Sequence, residues 1–288
     1  MKLSRREALG GAIALGIAAA TRTSRAATRT PVAYVSHGSP MLAIDKVRGG
    51  ELRTWGASLA KPRGIVVMTP HYASRHFELG ATGRGFAVYS LPNWLKRQLP
   101  QDLDYASPPS EGLAVQIESL LRGTYPVSRG DRRGFDHTTW MPLMHMFPAA
   151  DVPVLEMAYP YVKEAELVAL GRKLAPLRDD GILFIASGGM THNLASIDLE
   201  QKVSVPLWSS DFDAWATERL TARDVDALVD WRAKAPSANL AHPDDGAHFR
   251  VLLVAMGIAI GNGGAAPNAR FPLIGFESTL SNRCVELA

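Results

Sequence analysis

Short apolar runs alternate along this chain with stretches whose apolar residues recur at helical spacing. The runs of strand length stand at 31–36, 64–70, 152–158, 181–187 and 271–276, and the amphipathic stretches at 50–60, 110–122, 161–177, 208–220 and 245–258. From Glu111 to Arg122 the spacing puts Leu113, Ile117, Leu120 and Leu121 on one side, and Gly123 follows as a stop. Such alternation predicts an α/β fold: a single domain with a mostly parallel central sheet and helices on both faces. In sheets of this kind ligands bind at the carboxyl ends of the strands, so the active site is expected there. Between 72 and 109 the pattern loosens around Gly80, Gly83, Gly85 and the prolines from Pro92 to Pro109, which predicts long loops with one short helix near 93–99. The tract 259–270 reads as a flexible connection into the last strand.

Three of the eight histidines stand just past an apolar run: His37 after Val-Ala-Tyr-Val-Ser, His71 after Ile-Val-Val-Met-Thr-Pro, and His192 after Ile-Leu-Phe-Ile-Ala-Ser-Gly-Gly. Side chains in that position on separate strands can converge on one small volume. His37 lies in a tight His-Gly-Ser-Pro turn, and beside His192 two glycines would let the backbone approach a ligand closely. His137 follows Asp136, which either caps the next helix or orients the imidazole. His248 falls at the start of a helix expected to end near Gly257, whereas His76 and His145 have no turn or glycine context. Neutral imidazoles suit iron, zinc, copper and nickel alike, so a cluster of them points to a divalent site without naming the metal. The rival nucleophiles Ser39 and Ser187 both lie in glycine-containing turns, but neither sits in Gly-x-Ser-x-Gly.

The N-terminal residues change the reading of charge and compartment. Arg5 and Arg6 precede a weakly apolar Ala/Gly-rich stretch from Ala8 to Ala20, the pattern of a twin-arginine signal, and Ala26 or Ala27 offers a cleavage point. The expectation is a signal over 1–27, a catalytic domain over 28–288, passage through the twin-arginine export machinery and a periplasmic mature protein with no stable membrane span. Residues 1–27 hold five of the 31 basic groups and one of the 28 acidic ones, so 26 face 27 in the remainder and the formal charge of +3 disappears. With no Lys/Arg run left to meet phosphates, nucleic acid is not an expected partner. Cys284 is the single cysteine, so no intrachain disulfide can form, and it reads as an inert thiol. Oligomeric state and strand order are not legible.

Taken together, His-Gly-Ser-Pro-Met at 37–41, Thr-Pro-His-Tyr at 69–72, Asp-His-Thr-Thr-Trp at 136–140, Ser-Gly-Gly-Met-Thr-His-Asn-Leu at 187–194 and His-Pro-Asp-Asp-Gly-Ala-His-Phe at 242–249 resemble the class III extradiol ring-cleavage dioxygenases, in particular the 4,5-DOPA dioxygenase branch. The Gly-Phe-Glu-Ser-Thr-Leu-Ser tail looks like that family's closing strand. The resemblance implies a non-haem Fe(II) enzyme, also seen with Zn(II), that opens a small aromatic diol with O2. It implies that His37, His71 and His248 ligate the metal, that His192 is the acid–base residue, and that His137 steers substrate or oxygen. The loop 86–92, Thr138 and Leu42 depart from the family's pattern around the pocket rather than at the metal. Two other readings fit the same histidines: a zinc-dependent hydrolase or lyase, and a non-catalytic periplasmic binder of metal or phenols.

Overall fold

The computed structural model describes residues 29–89, 91–99, 104–130, 134–198 and 204–288. The signal expected over 1–27 lies outside them. One eight-stranded sheet runs through the molecule, built from β1 (Val32–Ser36), β2 (Gly64–Ser74), β3 (Phe77–Leu79), β4 (Val127–Arg129), β5 (Val154–Pro160), β6 (Ile182–Gly188), β7 (Ala269–Arg270) and β10 (Val285–Leu287). The two-residue strands β8 (Phe276–Glu277) and β9 (Leu280–Ser281) form a separate antiparallel hairpin. Spatial order in the large sheet is β4-β3-β5-β2-β6-β1-β10-β7. The middle four strands, β5-β2-β6-β1, are mutually parallel, and antiparallel pairings of β3 with β5 and of β10 with β1 flank them.

Those middle strands are apolar on both faces. Val32 and Tyr34 of β1, Val66 and Met68 of β2 and Phe184 of β6 enter one core, while Ala33, Val35, Ile65, Val67, Leu183 and Ile185 enter the other. Burial on both sides is why each reads as a continuous apolar run rather than an alternating one. Among the helices, α1 (Lys46–Ser58), α2 (Asn93–Lys96) and α4 (His137–Met146) contribute to the second core. The first core takes α3 (Glu111–Leu121), α5 (Glu164–Leu174), α6 (Leu207–Ala222) and α10 (Ala247–Ile260), together with residues of the short helices α7 (Val225–Val229), α8 (Trp231–Lys234) and α9 (Ala238–Ala241). In α3, Leu113, Ile117 and Leu121 are buried and Leu120 partly so, and Gly123 takes a φ of +75° just beyond the end. Among the described residues no helix is long and apolar enough to cross a membrane.

Four expectations need correction. The run 271–276 is not a strand: β7 ends at Arg270, Pro272 interrupts, and the next strand is β8 from Phe276. Pro272 has no N–H for a ladder, and the strand that completes the sheet is β10. The Gly-Phe-Glu-Ser-Thr-Leu-Ser tail is therefore the β8–β9 hairpin, not a closing strand. The helix carrying His248 does not end near Gly257 but runs to Ile260, into the tract read as flexible. A Cβ on Gly257 would lie 2.2 Å from the Val168 carbonyl oxygen, so this glycine marks the close crossing of α10 on α5 rather than a helix end. Finally, β2 extends to Ser74 and β3 follows, so part of the stretch from 72 onward is strand rather than loop.

Candidate active site

Five imidazoles gather at the carboxyl edge of β1, β2 and β6. His37 is the first residue after β1, and its N–H donates to the Gly188 carbonyl at 3.0 Å. His71 is not past its strand but inside β2, where the register with β5 slips between Thr69 and Ala73. That irregularity breaks the period-two alternation and brings the side chain out. His248 is the second residue of α10, whose first turn is pressed onto the end of β6. Its carbonyl accepts from the Gly189 N–H at 3.1 Å and the Tyr34 hydroxyl at 3.0 Å. A Cβ on Gly188 would stand 2.0 Å from that carbonyl oxygen, so the glycine admits α10 rather than a ligand.

The rings of His37, His71 and His248 form a nearly equilateral triangle, with centroids 5.5, 5.3 and 5.4 Å apart. One ring nitrogen from each lies within 4.8 Å of the others, the reach of donors around a single ion. His37 is 4% exposed and His248 7%, and among the described residues neither ring nitrogen of His248 has a hydrogen-bond partner. Such orphaned buried nitrogens fit a metal ligand. Burial first, then neighbouring rings such as His71 for His37 and His192 for His248, holds both well below the ordinary histidine pKa and so in the neutral form that binds metals.

His192 stacks on His248, ring centroids 3.4 Å apart and planes at 10°, while His137 lies edge-on to His71 at 4.9 Å. The structure thus brings all five proposed histidines together. His76 is exposed, and His145 is buried with Nε2 3.0 Å from the Leu42 carbonyl, both outside the cluster.

Several partners of these rings were not assigned from sequence. Asp136 caps α4 by accepting from the Thr138 N–H at 2.9 Å, and its other oxygen lies 3.6 Å from His71 Nδ1, with a ring nitrogen of His137 also within 4.8 Å of the carboxylate. Ser187 is fully buried, donates to the Thr138 carbonyl at 2.6 Å and lies 3.0 Å from His37 Nδ1. It serves the histidine rather than acting as a nucleophile. Ser39 is likewise committed, its hydroxyl donating to Glu277. Asp244 faces His192, with Oδ2 3.7 Å from Nδ1. Burial works to raise the Asp244 carboxyl, but the His192 imidazole and the Gly246 N–H outweigh it and bring the pKa to about 2. Its place in His-Pro-Asp-Asp-Gly-Ala-His was the one available signal.

The β8–β9 hairpin braces both turns. Glu277 pairs with Arg48 at 2.9 Å and accepts from the Ser39 N–H at 3.0 Å beside His37. Two residues on, the Thr279 carbonyl accepts from Thr191 at 2.8 Å beside His192.

An α/β sheet that gathers five imidazoles at its carboxyl edge defines a candidate metalloenzyme. Residues 31–277 match the family described as the catalytic LigB subunit of aromatic ring-opening dioxygenase, and the chain belongs to that family. It is therefore an oxidoreductase of the ring-cleaving extradiol dioxygenase type. The 4,5-DOPA dioxygenase extradiol of Beta vulgaris is 33% identical over 233 residues, 78% of this chain and 85% of that protein. Its namesake in Escherichia coli K12 is 31% identical over 201 residues, 67% of this chain and 72% of the relative. The crystal structure of an uncharacterized E. coli K12 protein superposes with a TM-score of 0.76 at 27% identity, covering 90% of this chain and all of the other.

Proposed function

We propose that the protein opens a small catechol-type ring, DOPA or a similar aromatic diol, with O2 at a single Fe(II) held by His37, His71 and His248, and that Zn(II) can occupy the same site in the isolated protein. The observation that carries this reading is the triangle of three imidazoles, with both ring nitrogens of the buried His248 partnerless among the described residues. Three protein ligands leave positions open for the diol and O2. When bound, the ion would supply positive charge that favours loss of a catechol hydroxyl proton.

The chain's own residues supply the rest. His192 takes that proton at a ring nitrogen and returns one to the opened product, while Asp244 faces its Nδ1 and fixes the orientation of the ring. Its stacking on His248 keeps the proton-handling nitrogen next to the ligand set. His137, edge-on to His71, steers the diol or O2 at the rim. In the same proposal residues 1–27 are a twin-arginine signal cleaved near Ala26 or Ala27, and the mature enzyme works in the periplasm. Cell fractionation with Arg5→Lys and Arg6→Lys together tests this: the protein should stay in the cytoplasm, and unchanged export would refute it.

The test of the activity is to strip the mature protein of metal and reload it anaerobically with Fe(II) or Zn(II). A catechol panel is then added while oxygen uptake and visible absorbance of ring-opened products are followed. Iron-dependent uptake with a coloured product supports extradiol cleavage. Stoichiometric iron with no uptake on any catechol would refute it in favour of zinc-dependent hydrolysis or simple binding.

A further inference from the structure

We propose that Thr138 is a positioning residue: it joins His37 and His71 into one directed hydrogen-bond chain and thereby sets the affinity of a metal it does not touch. The inference rests on the reading that these histidines hold a metal. Thr138 is fully buried under the cluster, at the second residue of α4. Four polar contacts converge on it, and counting protons gives each a direction.

The Thr138 hydroxyl and N–H both donate to Asp136 Oδ1, at 2.6 and 2.9 Å. With its only proton so used, the hydroxyl must accept from Thr69, whose Oγ1 is 2.7 Å away. The Thr69 oxygen in turn accepts from the backbone N–H of His71 at 3.3 Å. The loop closes where Asp136 Oδ2 faces His71 Nδ1 at 3.6 Å. The backbone and the ring of one candidate ligand are thus tied to the same threonine.

The second arm starts from the Thr138 carbonyl. It takes the proton of Ser187 at 2.6 Å, so the Ser187 oxygen can only accept from His37, and His37 must carry its proton on Nδ1, 3.0 Å away. That tautomer leaves the Nε2 lone pair for an ion. At His71 the facing carboxylate favours the same arrangement. A single residue at the start of α4 therefore fixes which nitrogen two candidate ligands present, and it does so with two separate groups, a hydroxyl and a carbonyl.

The experiment measures Co(II) binding to the full mature protein by the cobalt visible spectrum, with Zn(II) competition, for wild type, Thr138→Val, Ser187→Ala and Thr138→Ser. Urea unfolding of each metal-free protein reads packing separately. Thr138→Val and Ser187→Ala should weaken Co(II) binding roughly 10–100-fold, with Thr138→Ser within about threefold of wild type because the hydroxyl is kept. Co(II) affinities of both weakening variants within about threefold of wild type would overturn the inference, whatever the urea midpoints do. If Thr138→Val does not fold, Asp136→Asn takes its place: it keeps an acceptor oxygen for the cap but turns an amide N–H toward His71, so wild-type affinity there overturns the proposal equally. Wild-type protein that binds no Co(II) would remove the metal reading itself, an outcome distinct from uniform binding across the variants.

Discussion

Replacing Glu277 by alanine should destabilise the whole domain, although the residue touches none of the five clustered histidines. Its carboxylate is 7% exposed and takes three donors: Arg48 Nη1 at 2.9 Å, the Ser39 N–H at 3.0 Å and the Ser39 hydroxyl. Without it the Arg48 guanidinium, itself 7% exposed, retains the Ser36 carbonyl at 3.2 Å and a partnerless Nε. A buried cation stripped of its counter-ion costs about 3–5 kcal/mol. At roughly 2–4 °C of melting temperature per kcal/mol for a domain of about this size, the expected loss is about 10 °C. The damage falls where Gly38 turns at φ +63°, since a Cβ there would lie 2.6 Å from Arg48 and 2.9 Å from Glu277. Thermal melts of Glu277→Ala, Arg48→Met and the double variant separate pairing from packing. The double variant should recover part of the loss, because no charge is left buried alone. A Glu277→Ala shift under about 2 °C, or losses that simply add in the double variant, would show that the pair is not a coupled buried unit.

His192→Ala should keep stoichiometric metal and lose nearly all turnover, whereas His37→Ala and His71→Ala should lose the metal; equilibrium dialysis beside an oxygen electrode distinguishes the two. Burial pulls His242 down to about 3 despite the Met190 carbonyl that favours its charged form. Because the unfolded residue protonates near its ordinary 6.5, the stability it contributes is present above that pH and is lost as pH falls toward 3. Across that window His242→Phe should flatten the pH dependence of urea stability by up to about 1.4 kcal/mol per pH unit, and an unchanged slope would refute it. Cys284 is fully buried with its thiol pushed up to about 12, so a disulfide thiol reagent should titrate it only after unfolding, and rapid labelling of the native protein would contradict that.

The parts of the fold that sequence revealed are those where burial leaves a simple mark. β1, β2, β5 and β6 are apolar on both faces, and their runs gave both their places and the edge where His37, His71 and His192 gather. Where polar residues are buried, the pattern misleads. Glu277, Ser278, Thr279, Ser281 and Asn282 are each under 8% exposed, yet no apolar run marks their burial, because their partners lie far off in sequence. β10 is three residues long, too short to show a period, while the louder run beyond Arg270 is stopped by Pro272. At the site, the histidines were legible as types in turns, but their partners were not. Asp136 read as either a helix cap or an orienter of His137; it is the cap, and its second oxygen also approaches His71, while Ser187 drew notice as a nucleophile when it is an acceptor for His37. Those pairings depend on the bulge in β2 and on the approach of α4 to β6, neither of which has a linear signature.

The hairpin at Glu277 also sets an order in time. Ser39 and Glu277 are 238 positions apart, and β1 has β10 as one of its two neighbours in the sheet. During synthesis the first histidine turn emerges early and waits for almost the whole chain before its brace exists. Contacts of such long range form late and slowly. A nascent chain on the ribosome therefore carries His37 without its lock until Glu277 has emerged.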